Sequence, residues 1–302
     1  MNSNKSAWGF LLPFLLLFVV FLIGPLIYAF YISLFVQRMG VLHFVGFQNY
    51  LIALQNTDFW VSILRVLYYG VLQGVVMIGL AIVLALLLDT PYAKAKSFFR
   101  LVYFLPYAVP GILAAILWGF LYSDKIDPLV SAIHFQPLST GTLLYSILNI
   151  TVWEWAGYNM TIYVASLTGQ SQELFEAARI DGCGEWKLAF AVKLPLLKPT
   201  IVMTVLLSMI GSVQMFNEPF ILGNLTAISP SYTPNIAIYN MAIGDSNEPY
   251  GATLAVLLGV ISIGLSFIAL LITGGIGRRR RDKAERHSVQ SQQNVQVHLS
   301  QG

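Results

Sequence analysis

Three groups of polar residues stand out against an otherwise apolar chain. Glu154 lies among Trp153, Trp155, Tyr158 and Asn159 inside a long apolar run. Gln214, Asn217 and Glu218 follow at spacings of three and four, which puts them on one helical face, a turn beyond Gly211. Glu176, Ala177, Ala178, Arg179, Asp181 and Gly182 form a short charged stretch between two further runs. A carboxylate at mid-membrane costs about 2.5–3.5 kcal/mol on insertion scales, so Glu154 is expected to face a cavity or a partner. Tyr158 follows it by four on the same face. Rings beside hydrogen-bonding groups suit a sugar, whose C–H faces stack while its hydroxyls need donors and acceptors. A Glu154 paired with a neighbouring subunit, or held protonated, fits the same pattern, and Glu218 reads equally as an interfacial residue. No Ser/His/Asp set, catalytic carboxylate pair, HExxH or Gly-x-x-x-x-Gly-Lys-Ser/Thr occurs, so no enzyme chemistry is expected and no cofactor is expected on this chain.

The elements that must position these groups follow from composition. With 302 residues, 57% hydrophobic and only 10% charged, the chain reads as an all-α, polytopic membrane protein. Its single cysteine, Cys183, excludes an internal disulfide, and its four histidines are scattered over loops and tail, which argues against a metal site. Six apolar runs are predicted as membrane helices: 8–35, 66–88, 101–122, 143–167, 200–222 and 251–275. Pro13 and Gly24-Pro25 should kink the first. Gly70 and Gly74 give the second a small-residue face for close packing, and Gln73 is read as an interhelical hydrogen-bonding group. Pro219 is expected to end the fifth run's helix.

Orientation follows from the basic residues. With both termini and the 171–198 loop inside, fourteen Lys and Arg fall on the cytoplasmic side and only Arg38, Arg65 and Lys125 on the other. Three parts result: residues 1–60, a first helix with an outer loop; 61–277, a core; and 278–302, a basic tail too polar to pack and expected to be disordered. The Arg278–Arg281 cluster is read as an anchor at anionic lipid headgroups, with no nucleic-acid role.

The 171–198 loop is predicted as a helical hairpin. Ser171 suits an N-cap, Glu173 the first turn, and Gly182 a left-handed helix end. A second helix from about Gly184 sets Trp186 and Phe190 on one face, and Pro195 and Pro199 are expected to stop it near Leu194.

This hairpin resembles the EAA loop of binding-protein-dependent ABC importer permeases. Glu176-Ala-Ala is followed after three residues by Gly182, after nine more by β-branched Val192, then by Leu194-Pro195, and every position of the motif is filled. The segment Phe98–Pro106, with its Phe-Arg and Leu-Pro, is similar to the same domain, and Gly211–Phe220 resembles the sugar-permease branch of maltose and glycerol-3-phosphate type. The Gly-x-Ile-Asn and Gly-Gly-Pro patterns common in relatives are absent, and Gly223-Asn-Leu-Thr226 resembles instead the disaccharide and oligosaccharide importers.

The resemblance implies a permease subunit in a bacterial cell membrane, forming part of a sugar pathway. Glu176, Ala177, Ala178, Asp181 and Gly182 would face an ATP-binding subunit, and Glu154, Tyr158, Asn159, Gln214, Asn217 and Glu218 would line the path. Implied partners are a second homologous permease, two ATP-binding subunits that use the ATP and Mg, an extracytoplasmic solute-binding protein, and membrane lipid. An ion-coupled secondary transporter is the competing expectation, with Glu154 as a proton site.

Overall fold

The computed structural model describes residues 3–123, 136–268 and 270–271. The charges Asp124, Lys125 and Asp127, expected on the outer side, and the tail 278–302 lie outside the described residues.

The chain opens with α1 (Ser3–Phe18), a π turn (Val19–Ile23) and α2 (Gly24–Ser33), which make one apolar rod whose residues from Phe10 to Tyr31 are none of them buried. A small hairpin follows, the one departure from an all-helical fold among the described residues. Strands β1 (Phe35–Arg38) and β2 (Val41–Phe44) pair antiparallel, Phe35 opposite Phe44, around a turn with Met39 at φ 49° and Gly40 at φ 79°. Asn49, on α3 (Gln48–Gln55), donates from its Nδ2 to the carbonyls of Ser33 (2.8 Å) and Phe35 (2.6 Å), which fixes the hairpin's base.

Helix α4 (Thr57–Leu88) starts at Thr57 rather than Val66, because the side chain of Asn56 accepts from the Phe59 N–H and caps it. The run predicted as one span over 101–122 is broken. α5 (Lys96–Phe104), a 3-10 turn (Leu105–Ala108) and α6 (Gly111–Leu121) form a pair bent by 95°. The break falls at Pro110, before which Val109 is extended, at ψ 125°. α7 (Leu143–Thr168) follows, then the hairpin of α8 (Gln172–Ile180) and α9 (Glu185–Leu188).

The predicted stop near Leu194 does not occur. A π turn (Ala189–Lys193) leads straight into α10 (Leu194–Val213), so that Glu185–Leu222 is a 38-residue span with Pro195 and Pro199 inside it. A π turn moves the hydrogen-bond register by one residue, and the missing proline N–H falls at that slip. Pro219 does not end the helix either. The break comes earlier, at Gln214–Phe216, and Pro219 sits in the first turn of α11 (Asn217–Leu222), where an absent N–H costs nothing. α12 (Pro234–Tyr239), a third π turn (Asn240–Gly244) and α13 (Glu248–Ile268) complete the described chain.

Among the described residues four helices are long and apolar enough to cross a membrane, and the bent pair is a fifth candidate. At 26 residues α7 has the length, about 39 Å, but not the apolarity. It lies instead at the centre of the bundle, buried at thirteen of its positions. Two layers of core flank it. Val66 and Tyr69 of α4 pack with Leu143, Ile147 and Ile150 of α7 on one side, and Met77, Ala81 and Ala85 pack with Met160, Tyr163 and Leu167 on the other. A third cluster joins Phe59 and Ile63 to Leu254 and Leu258 of α13. Arg65 of α4 donates to the Tyr232 carbonyl at 2.6 Å and lies over its ring. Burial pushes the Tyr232 phenol up, and the guanidinium pulls it the other way.

Candidate functional site

Between the two core layers the helices part around a cavity of about 350 Å³. Its position follows from where the small and polar residues fall. On α4 the buried apolar residues stop at Tyr69 and resume at Met77, with Gln73 between them; on α7 they stop at Ile150 and resume at Ala156. The walls carry Tyr158 and Asn159 of α7, Gln214 at the end of α10, and Asn217 and Glu218 of α11. The break at Gln214–Phe216 is what lets all three polar residues of that stretch reach the same space. The cavity is framed by hydrogen bonds that hold its helices together: Tyr69 to Thr151 at 2.6 Å above, Tyr163 to Thr204 at 2.5 Å below. Asn159 donates to the Trp155 carbonyl at 2.9 Å, which fixes its amide at the wall.

Gln73 does not make the interhelical bond expected of it. It is 8% exposed and lines the cavity, while its Oε1 is buried with no partner among the described residues.

Glu154 is 4% exposed and stands beside the cavity rather than in its wall. Its carboxylate converges with the polar side chains of α11 on Gly111, the first residue of α6. A Cβ there would lie 3.6 Å from Glu154 Oε1, 3.6 Å from Asn217 Nδ2 and 3.8 Å from Glu218 Oε1. The start of a helix carries free N–H groups and partial positive charge, which makes this a tolerable place for two carboxylates in an apolar bundle. The bent pair therefore supplies the site with a helix N-terminus at mid-bundle. Gly157 holds that bend in place: a Cβ there would fall on the Tyr103 carbonyl, so the α5 backbone lies directly on α7. Beside it the Tyr107 ring stacks on Tyr158 at 4.5 Å, with Trp155 edge-on to both. Among the described residues lining the cavity there is no Lys, Arg or His.

The charged hairpin lies apart from the cavity. Gly182 has φ +80°, and the Gly182 and Cys183 N–H groups bond back to the carbonyls of Arg179 and Ala178, the paired closure of a helix ended by a left-handed residue. Ser171 stands at the N-cap, but its side chain makes no capping bond. Glu176, Ala177, Asp181 and Gly182 are exposed and Ala178 half-buried, with Phe175 as the inward anchor. Arg179 bonds Glu185 across the hairpin at 3.1 Å, and Trp186, 78% exposed, stacks on Phe190.

Residues 77–282 match the family described as binding-protein-dependent transport system inner membrane component. The chain belongs to this family. Its relatives include the arabinooligosaccharides transport system permease protein AraP of Bacillus subtilis, 30% identical with 90% of each chain covered. The lactose transport system permease protein LacF of Rhizobium radiobacter is 29% identical, covering 88% of this chain and 93% of its own. The fold is similar to that in the crystal structure of a bacterial ABC transporter that imports the acidic polysaccharide alginate, with a TM-score of 0.78 at 18% identity over 91% of this chain. The protein is thus a multi-pass inner-membrane permease with the ABC importer permease fold, and its work is transport rather than catalysis.

Sequence reasoning missed Gly111 and Gly157. Both carried a signal: a glycine beside a proline at the start of an apolar run, and a glycine inside a helix otherwise crowded with aromatics.

Proposed function

We propose that this permease forms half of the translocation pathway for a neutral di- or oligosaccharide. The observation that carries the reading is the mid-bundle cavity, with the Trp155 and Tyr158 rings, the amides of Gln73, Asn159, Gln214 and Asn217, the Glu218 carboxylate in its wall and that of Glu154 beside it. Such walls offer stacking and hydrogen bonds to a polyol and repel an anion. Several relatives carry the names of oligosaccharide or disaccharide permeases, which supports the same class. Negative walls argue against an acidic polymer of the kind imported by the structurally similar alginate transporter.

In this reading the chain crosses the membrane six times with both ends inside, α7 supplying the least apolar crossing. A second, homologous permease completes the pathway, and an extracytoplasmic binding protein delivers the sugar. Two ATP-binding subunits, which hold the ATP and Mg, grip the hairpins through Glu176, Ala177, Ala178, Asp181 and Gly182. The hairpin's exposed alanine face and left-handed tip support a close-approach surface of that kind.

The test measures sugar uptake beside ATPase activity in the reconstituted complex. Tyr158→Ala removes a stacking ring and is expected to lower uptake about tenfold, the equivalent of 1.4 kcal/mol, with ATPase activity retained. Glu154→Gln keeps shape and hydrogen bonding and should cost less than about threefold. The reverse order, with Glu154→Gln abolishing uptake and Tyr158→Ala tolerated, would point to an ion-coupled carrier. Near-wild-type uptake by both would place the pathway elsewhere.

A further inference from the structure

Lys193 is a cation where a bundle has little reason to bury one. It is 2% exposed, and its Nζ lies 2.7 Å from Asp89 Oδ2 and 5.7 Å from the centre of the Phe175 ring. Each of the three residues belongs to a different element. Asp89 closes α4, its N–H bonded to the Ala85 carbonyl; Phe175 is the buried anchor of α8; Lys193 is the last residue of the π turn that opens α10. A carboxylate at a helix C-terminus faces the unfavourable end of the dipole, so Asp89 has no stabilising partner in its own helix, and the ammonium supplies one. A buried ammonium in turn needs both the carboxylate and the ring. The π turn sets this geometry, since one extra residue in the turn rotates the helix beyond it by about 100°.

The helices joined here are those that line the cavity. α4 carries Tyr69, Gln73 and Met77, and α10 carries Thr204, Ser208 and Gly211. We propose that Lys193 is a positioning residue for transport: with Asp89 and Phe175 it forms a buried joint that makes the exposed hairpin and the cytoplasmic ends of α4 and α10 move as one body. A displacement of the hairpin then reaches α4 directly through the ion pair, although the two are far apart along the chain. Without the joint the hairpin can move while α4 stays still. The proposal rests on the reading of the hairpin as the ATPase-docking surface.

The experiment is peptide-resolved hydrogen exchange on the complete reconstituted complex, nucleotide-free against Mg-ATP with vanadate. In the unaltered complex, exchange should change in the hairpin, 172–182, and at the end of α4, 84–92. Lys193→Met and Asp89→Asn should each keep the change in the hairpin and lose it at α4. The double variant should resemble either single one, because both remove the same joint. Should Lys193→Met fail to assemble, the nearly isosteric Asp89→Asn carries the same expectation alone. Persistence of the α4 change in Asp89→Asn overturns the joint and leaves the docking reading standing. Absence of any nucleotide-driven change in the hairpin of the unaltered complex overturns the docking reading, and the joint with it.

Discussion

Pro110 and Pro195 both interrupt an apolar run, yet the chain turns by 95° at the first and runs straight through the second. The residues before them differ accordingly. Val109 is extended, at φ −79° and ψ 125°, as a residue before proline prefers, whereas Leu194 stays helical at φ −62° and ψ −42°. At Pro195 the π turn absorbs the defect: the Leu194 N–H already reaches back five residues to Ala189, so the register has slipped before the missing donor arrives. The same device precedes Pro25, where the Gly24 N–H bonds Val19. At Pro110 the bend is held by docking, with the Tyr103 backbone on Gly157 and Gly111 among the carboxylates. A proline therefore permits a break without imposing one, and tertiary contact makes the choice.

The comparison breaks most severely at Gly157. Gly157→Val places a side chain inside the Tyr103 carbonyl and should lift the α5–α6 elbow off α7, at a cost of about 3 kcal/mol or more. Thermal unfolding of the purified complex reads this directly, with Gly74→Ala as a control, since nothing lies within 4 Å of a Cβ there. An unshifted midpoint for Gly157→Val would mean that the elbow is not held by this contact. Pro110→Ala should cost less, on the order of 0.4–1 kcal/mol, because it only frees Val109 in the unfolded chain while docking keeps the bend. A midpoint lowered by more than about 4 °C would show that the proline itself holds the elbow. Pro195→Ala is expected to change stability by no more than about 0.5 kcal/mol, the regained N–H bonding one turn back. The π turn should persist, because its register is held by the buried Lys193–Asp89 pair, and the exchange change at α4 should be retained; loss of that change would show that the proline maintains the turn.

What the sequence made legible was whatever depends on spacing and charge. The hairpin's end at Gly182, the exposure of Glu176 and Ala177, and the shared face of Glu154 and Tyr158 follow from spacing, whereas Gln214, Asn217 and Glu218 do not share one helical face as their spacing predicts, and reach the cavity with Tyr158 and Asn159 through the break at Gln214–Phe216. Gly70 was legible too: a Cβ there would run into Ser212 Oγ, though Gly74 faces open space. The bend at Pro110, the continuity at Pro195 and the Asp89–Lys193 pair were not legible. Each depends on a partner far away in sequence, and a local rule for proline or for a surface lysine points the other way.

The placement of α7 bears on how the protein is made. It carries Glu154, Asn159 and Thr151 on buried positions and is too polar to enter lipid on apolarity alone. A newly made segment of this kind partitions into a bilayer only when a neighbour receives its polar side chains. Chain order provides that neighbour: α4 is synthesised first and waits with the Tyr69 hydroxyl for Thr151 and the Met77 sulfur for the Asn159 amide. A helix that lines the cavity is thus the one that cannot be installed first, and a circular permutation that moved α7 ahead of α4 is expected to impair its insertion.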